Sequence, residues 1–262
     1  MDMINMTREL STNITKMVNK SFPARSVKDS FRQKHCYLCQ QTIYKSLPIC
    51  DACHADLPWN NKACSSCALP LPALIRPTQA VTCGECLNSE PNYSQCISLF
   101  TYTFPINTLI SDFKYNKQRH FGKLMAEMLA VKIGAELKNK SISKPDLLIP
   151  TPLHVDRFDT RGFNQSEDIC SDLSKYLKIP VDRKSLQRTI NTPSQTALTK
   201  KERQKNLHKA FHVQKAFNGE VIALVDDVIT TGATAECLST LLMIAGAKEV
   251  VVWSLARTPR KL

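Results

Sequence analysis

A chain of 262 residues has room for one large domain, or for a domain of about 150–200 residues with a smaller module beside it. Hydrophobic residues make up 43% of it, enough for a packed core, but no apolar run approaches the ~20 residues that span a bilayer. The opening MDMINMTRELSTNITKMVNKSFPARS has no continuous apolar stretch of signal-peptide type, so a membrane span and secretion are both disfavoured and a soluble, cytoplasmic protein is expected. Against 23 Asp and Glu stand 35 Lys and Arg, a formal charge of +12 that suits a polyanionic partner.

Residues 1–34 are polar and read as an extension of undecided structure. Residues 35–90 carry four CxxC pairs, several prolines and little periodicity, as a small metal-held module would. From Ser94 to the end, 94–262, strands and helices alternate. CISLFTY (96–102) is a strand by its aromatic and β-branched content, and FGKLMAEMLAVKIGAEL (121–137) has helical apolar spacing. DLLIP (146–150) is a short buried strand ending at proline, and 164–177 is helical. VIALV (221–225) is a second buried strand, 231–246 a helix closed by Gly246, and VVVWSLA (250–256) a last strand. This order predicts βαβ units and a parallel sheet. Between 181 and 216 no strong period appears, and a loop that long inside a compact domain is usually functional or mobile. Residues 182–215 hold nine Lys or Arg against two Asp or Glu, which favours phosphate contact.

Eight of the eleven cysteines form Cys36-x2-Cys39, Cys50-x2-Cys53, Cys64-x2-Cys67 and Cys83-x2-Cys86. A CxxC turn sets two sulfurs on one side of a tight knuckle, suited to two corners of a tetrahedron at ~2.3 Å from Zn2+. Four knuckles make two structural zinc sites. Sequential pairing is the simpler arrangement, and spacing alone leaves an interleaved one open. A disulfide framework would need an oxidising compartment, for which no signal exists, and a redox relay is the other alternative. His35 and His54 flank cysteines but are not needed as ligands.

VIALVDDVITTGAT (221–234) combines a buried strand, two carboxylates at its end and a helix entry rich in threonine. Open α/β sheets bind ligands at the carboxyl ends of their strands. Adjacent Asp226 and Asp227 would be costly there without donors, and vicinal ribose hydroxyls are suitable donors. Thr230, Thr231, Gly232, Ala233 and Thr234 offer backbone N–H groups and hydroxyls to a phosphate, with Gly232 permitting close approach. The bland reading is a strand, an Asp-rich turn and a threonine cap. The run as a whole resembles the phosphoribosyl pyrophosphate (PRPP) motif of type I phosphoribosyltransferases. That resemblance implies that Asp226 and Asp227 meet the ribose 2′- and 3′-hydroxyls and that residues 230–234 hold the 5′-phosphate.

IPTPLHVDRFDTRGFNQSE (149–167) follows the earlier buried strand, where the family's pyrophosphate loop would sit. Thr151 and Pro152 open it, Arg157 and Arg161 could neutralise diphosphate, Gly162 relieves the turn, and Asn164 and Gln165 begin the next helix. Lys114, in ISDFKYNKQRHFGKLMAEMLA (110–130), is a further candidate to point toward the site. LQRTINTPSQTALTKKERQKNLHKAF (186–211), with Arg188, Gln195, Arg203 and Asn206, resembles the mobile loop that closes over PRPP. With the cysteines, these segments are similar to the ComF/GntX family (competence protein F-like): a zinc region fused to a parallel-sheet α/β domain of the type I phosphoribosyltransferase kind.

The resemblance implies a role in natural transformation or in the use of DNA as a nutrient. It implies PRPP with Mg2+ as ligand, single-stranded DNA as partner, and contacts with DNA-uptake or helicase-type proteins. An active phosphoribosyltransferase is the alternative, with Asp226, Asp227 and Arg161 as its catalytic residues and an acceptor the sequence does not reveal. A scaffold whose zinc module only docks proteins is the bland one.

Overall fold

A computed structural model describes residues 33–72, 81–190 and 209–260. The chain divides between Leu57 and Pro58 into two compact units. In the first, strands β1 (Lys34–His35) and β2 (Thr42–Ile43) pair antiparallel, and the turn between them carries Cys36 and Cys39. Helix α1 (Asp51–Ala55) follows, its N-cap Cys50 accepting from the Cys53 backbone N–H at 3.4 Å. Among the described residues of this unit, Ile43, Leu47, Ile49 and Leu57 are buried with Cys36 and Cys50. So small an apolar set does not stabilise a fold alone, which is why such units take metal.

The second unit runs in order through α2 (Gly84–Asn88), β3 (Gln95–Thr101), α3 (Ile106–Tyr115), α4 (Arg119–Lys138) and β4 (Leu147–Pro150). It continues with α5 (Val155–Arg161), α6 (Gln165–Leu177), β5 (Leu186–Arg188), β6 (Phe211–Val213), β7 (Val221–Ile229), α7 (Ala233–Ile244) and β8 (Glu249–Arg257). Strands β3, β8, β7 and β4 lie in that order in one sheet, every neighbouring pair parallel. The predicted alternation is therefore the observed one.

Three local differences have physical causes. Strand β7 continues through Asp226 and Asp227 to Ile229, because Asp226 pairs with Ser254 and Ile229 with Arg257, and ladder hydrogen bonds are indifferent to side-chain polarity. Helix α5, inside the segment after β4, buries no residue and so leaves no periodic trace in the sequence. The aperiodic stretch 181–216 contains an antiparallel ribbon, β5 with β6, in which Arg188 faces Phe211. Residues 191–208 of that stretch, with Gln195, Arg203 and Asn206, lie outside the described residues, as does the 1–32 part of the extension.

Side chains alternate across the sheet. Ile222, Leu224, Val250 and Val252 share one buried cluster with Leu238 and Leu242 of α7, with Phe211 and Phe217, and with Cys64, Cys67, Cys83 and Cys86. Helices α4 and α6 pack against one another and against strands β3, β8, β4 and β7. The second cysteine set thus shares the buried cluster of the α/β unit. Below Gly246 (φ +100°) an added Cβ would lie 2.3 Å from the Phe217 carbonyl oxygen. Gly246→Ala is expected to cost about 2–4 kcal/mol, read as a lower urea midpoint with an unchanged slope.

Candidate functional site

The carboxyl end of β7 presents Asp226 and Asp227. Asp227 is buried and ion-paired to Lys114 Nζ at 2.9 Å. Asp226 Oδ1 accepts from the Asp227 backbone N–H at 2.8 Å and from Ser166 Oγ at 3.3 Å. Burial, and then the neighbouring Asp227 charge, push the Asp226 carboxyl up to about 7; Lys114 and the two hydrogen bonds oppose this without cancelling it. Two adjacent carboxylates thus share one desolvated corner, held by one lysine and two hydrogen bonds, and further donors such as hydroxyls would lower the cost of charging both.

Lys114 reaches this corner because α3 buries Ile106, Leu109, Ile110 and Phe113, one helical stripe, so that the next residues leave the core at the helix end. Tyr115 follows directly. Its hydroxyl accepts from Arg161 Nη2 at 3.2 Å, and the guanidinium lies over its ring at 4.9 Å. Neither Tyr115 nor Ser166 was singled out from the sequence; the stripe ending at Phe113 was the available signal for the first.

On the β4 side, Thr151 continues the ladder, its N–H donating to Val225 O at 2.8 Å. Gly162 closes α5 in the left-handed region (φ +78°), turning the chain into α6. Asn164 caps α6 with its Oδ1 and donates from Nδ2 to Thr151 O at 3.1 Å, so its side chain ties strand to helix. Arg161 Nη1 donates to Gln165 Oε1 at 2.9 Å. Gln165 is 2% exposed, yet its Nε2, like Thr151 Oγ1, has no hydrogen-bond partner among the described residues. One follows β4 and the other opens α6, and unpartnered buried polar groups there are what a ligand acceptor would satisfy. Pro152 sits beside Thr151, partly exposed. Arg157 lies near enough to Arg188 for its charge to add to the burial that lowers the Arg188 pKa, and Arg188 stacks over Phe211 at 5.3 Å.

After β7 the chain turns through Thr230 and Thr231 to Gly232 (φ +84°), the N-cap of α7, with Ala233 and Thr234 in its first turn. Thr231 Oγ1 accepts from the Ala233 N–H at 3.3 Å. The remaining first-turn N–H groups have no helical acceptor, by the geometry of an α-helix. The entry to α7 is thus a cup of donors next to the acidic pair.

The eight CxxC cysteines form two groups, Cys36/Cys39/Cys50/Cys53 and Cys64/Cys67/Cys83/Cys86, and within each the four sulfurs lie within 4.8 Å of one another. Pairing is sequential. The Cys39–Cys50 and Cys67–Cys83 sulfurs are 3.7 Å apart, close to the ~3.8 Å edge of a tetrahedron with 2.3 Å zinc–sulfur bonds. Burial disfavours the Cys64 thiolate, but N–H groups of Cys67, Cys83 and Ser66 aimed at its sulfur bring it to about 7. The donor set fits zinc. Cys96, Cys170 and Cys237 are each buried in the apolar core.

A parallel-sheet α/β domain with an acidic pair beside a donor-rich helix entry, in a chain with two four-cysteine sites, is the class that fold and site define. A double zinc ribbon family model matches residues 31–87. DNA utilization protein YhgH of Escherichia coli (strain K12) is 30% identical over 224 residues, covering 85% of this chain and 96% of that protein. Competence protein F of Haemophilus influenzae is 32% identical over 225 residues, 85% of this chain and 90% of its own. Among solved structures, glutamine PRPP amidotransferase from B. subtilis superposes on 51% of this chain and 25% of its own, at 20% identity and a TM-score of 0.35. Hypoxanthine phosphoribosyl transferase from Trypanosoma cruzi gives 53% and 74% at 15% identity, also with a TM-score of 0.35. The chain belongs to the ComF/GntX (competence protein F-like) family.

Proposed function

We propose that this protein is a cytoplasmic competence or DNA-utilisation factor of the ComF type that binds PRPP with Mg2+, contacts single-stranded DNA, and carries two structural zinc ions. The observation that carries the ligand is the acidic pair near the end of β7, whose Asp226 carboxyl burial pushes up to about 7, adjoining the donor-rich entry to α7. Asp226 and Asp227 would accept from the ribose 2′- and 3′-hydroxyls, and residues 230–234 would hold the 5′-phosphate. Arg161, with the orphan Gln165 Nε2 and Thr151 Oγ1, would receive the diphosphate, whose charge Mg2+ neutralises further. Arg157 and Arg188, with Gln195 and Arg203 of the basic stretch 182–215, would add cationic and polar contacts. No helix among the described residues is long and apolar enough to cross a membrane.

DNA contact is supported by the charge of +12, by the basic stretch 182–215 and by what the relatives' names say of them. The zinc ribbons would offer DNA-uptake or helicase-type proteins a surface. Calorimetry should give one PRPP per chain with Mg2+ and a much weaker signal without it. Affinity for single-stranded DNA should fall at least tenfold between about 50 and about 200 mM salt, since backbone contacts release counterions. An affinity flat in salt argues against backbone binding. Pyrophosphate release on offering nucleobases or amines would turn the reading to an active phosphoribosyltransferase, with Asp226, Asp227 and Arg161 placed for catalysis.

A further inference from the structure

Arg257 ends β8 and is 3% exposed. Its Nε donates to the Cys67 carbonyl at 3.1 Å, and its Nη1 donates to the carbonyls of Ile229, at 3.1 Å, and Thr230. One guanidinium therefore joins the knuckle of the second cysteine site to the two residues that lead from β7 into the 230–234 loop. Among the described residues it makes no salt bridge to a carboxylate, although a buried cation without a counter-charge is costly. Zinc held by four thiolates carries a net negative charge, which would supply one at the Cys67 knuckle.

The direction of these bonds matters. A trans peptide points its carbonyl and its N–H to opposite sides. Drawing the carbonyls of residues 229 and 230 onto Arg257 turns the N–H groups of Thr230 and Thr231 away from it. A second contact fastens the same junction, on the helix side. Asn92, six residues past Cys86, donates through Nδ2 to Glu236 Oε1 at 2.7 Å and through its backbone N–H to Oε2 at 3.0 Å, in the first turn of α7. Ser66 O, inside the knuckle, accepts from the Cys96 N–H of β3 at 2.7 Å.

We infer that Arg257 is a positioning residue through which the metal-loaded second cysteine site holds the 230–234 loop in its phosphate-binding shape, so that zinc at Cys64/Cys67/Cys83/Cys86 and a phosphate monoester at the loop strengthen one another's binding. This rests on the PRPP reading of the same loop. Linkage makes the effect reciprocal, with a size of roughly five- to 150-fold for couplings of this kind.

The test follows zinc loss from the full, zinc-loaded chain to a chromogenic chelator, with and without saturating PRPP and Mg2+. Zinc should leave in two phases, and PRPP should slow one of them at least about fivefold while sparing the other. Arg257→Lys, which keeps the charge and loses the fork, should weaken PRPP binding about tenfold and remove that slowing, with an unchanged circular dichroism spectrum. Wild-type protein that binds PRPP but sheds both ions at unaltered rates overturns the inference without recourse to any variant, as does a folded Arg257→Lys chain that keeps affinity and slowing. Wild-type protein that binds no PRPP overturns the reading beneath it.

Discussion

Asp226→Asn is expected to reduce PRPP affinity by about 100-fold or more, and Asp226→Asn/Asp227→Asn to abolish it, because each change replaces an anionic acceptor in a desolvated corner. The same single change should stabilise the unliganded protein, in a pH-dependent way. An Asp in the unfolded chain titrates near 3.9 and Asp226 in the folded chain at about 7. Its folded pKa is raised, so below about pH 4 the group is protonated in both states and contributes nothing. As pH rises from about 4 to about 7 the folded state holds the proton longer, and stability drains away through this window. Above about 7 the full cost of a buried, charged neighbour to Asp227 is present. Asparagine lacks that cost. The melting temperature of Asp226→Asn should exceed that of the wild type at about pH 8 and approach it at about pH 5. A gain that is equal at both values would mean that Asp226 ionises normally in the folded chain. PRPP binding by the wild type should tighten over about pH 6–8 as Asp226 becomes an acceptor.

The two cysteine sites should differ sharply when removed. Cys64→Ser/Cys67→Ser breaks a site whose four sulfurs belong to the buried cluster of β7, β8 and α7. Loss of a structural zinc of this type is worth on the order of 10 kcal/mol, comparable with the whole stability of a domain. The variant should be insoluble or melt at least about 10 °C lower, with no PRPP binding. Cys36→Ser/Cys39→Ser removes the site of the first unit, which stands on the other side of the Leu57/Pro58 division. That variant should keep one zinc per chain and its PRPP affinity, with its main melting transition within about 2 °C of the wild type. Zinc analysis and scanning fluorimetry on the two variants decide the matter, and equal damage from both would contradict the division.

Much of this arrangement was legible in the residues themselves. VIALV and the LLIP of DLLIP are short apolar runs of strand length bounded by turn residues, as strands buried on both faces are, and they are neighbouring parallel strands. The CxxC spacing announced two four-sulfur sites, and DDVITTGAT announced a strand end meeting a helix entry, because those signals are local. Turn geometry, alternation and capping act over a few residues and write themselves into the sequence.

What the tertiary structure decided is everything that joins distant segments. No spacing rule relates Lys114 to Asp227, Ser166 to Asp226, or Tyr115 to Arg161; the sheet and the crossing of α3, α6 and β7 do. Nor could composition show that the second cysteine site packs beneath the sheet, since a cysteine beside a metal and a cysteine in an apolar core look alike in sequence. Arg257 is the clearest instance. In the chain it is one more arginine near the end, 190 residues from the Cys67 carbonyl it meets. Only the ladder that pairs it with Ile229 brings the knuckle and the 230–234 loop to one guanidinium, because hydrogen bonding between parallel strands fixes partners by register and not by nearness in sequence.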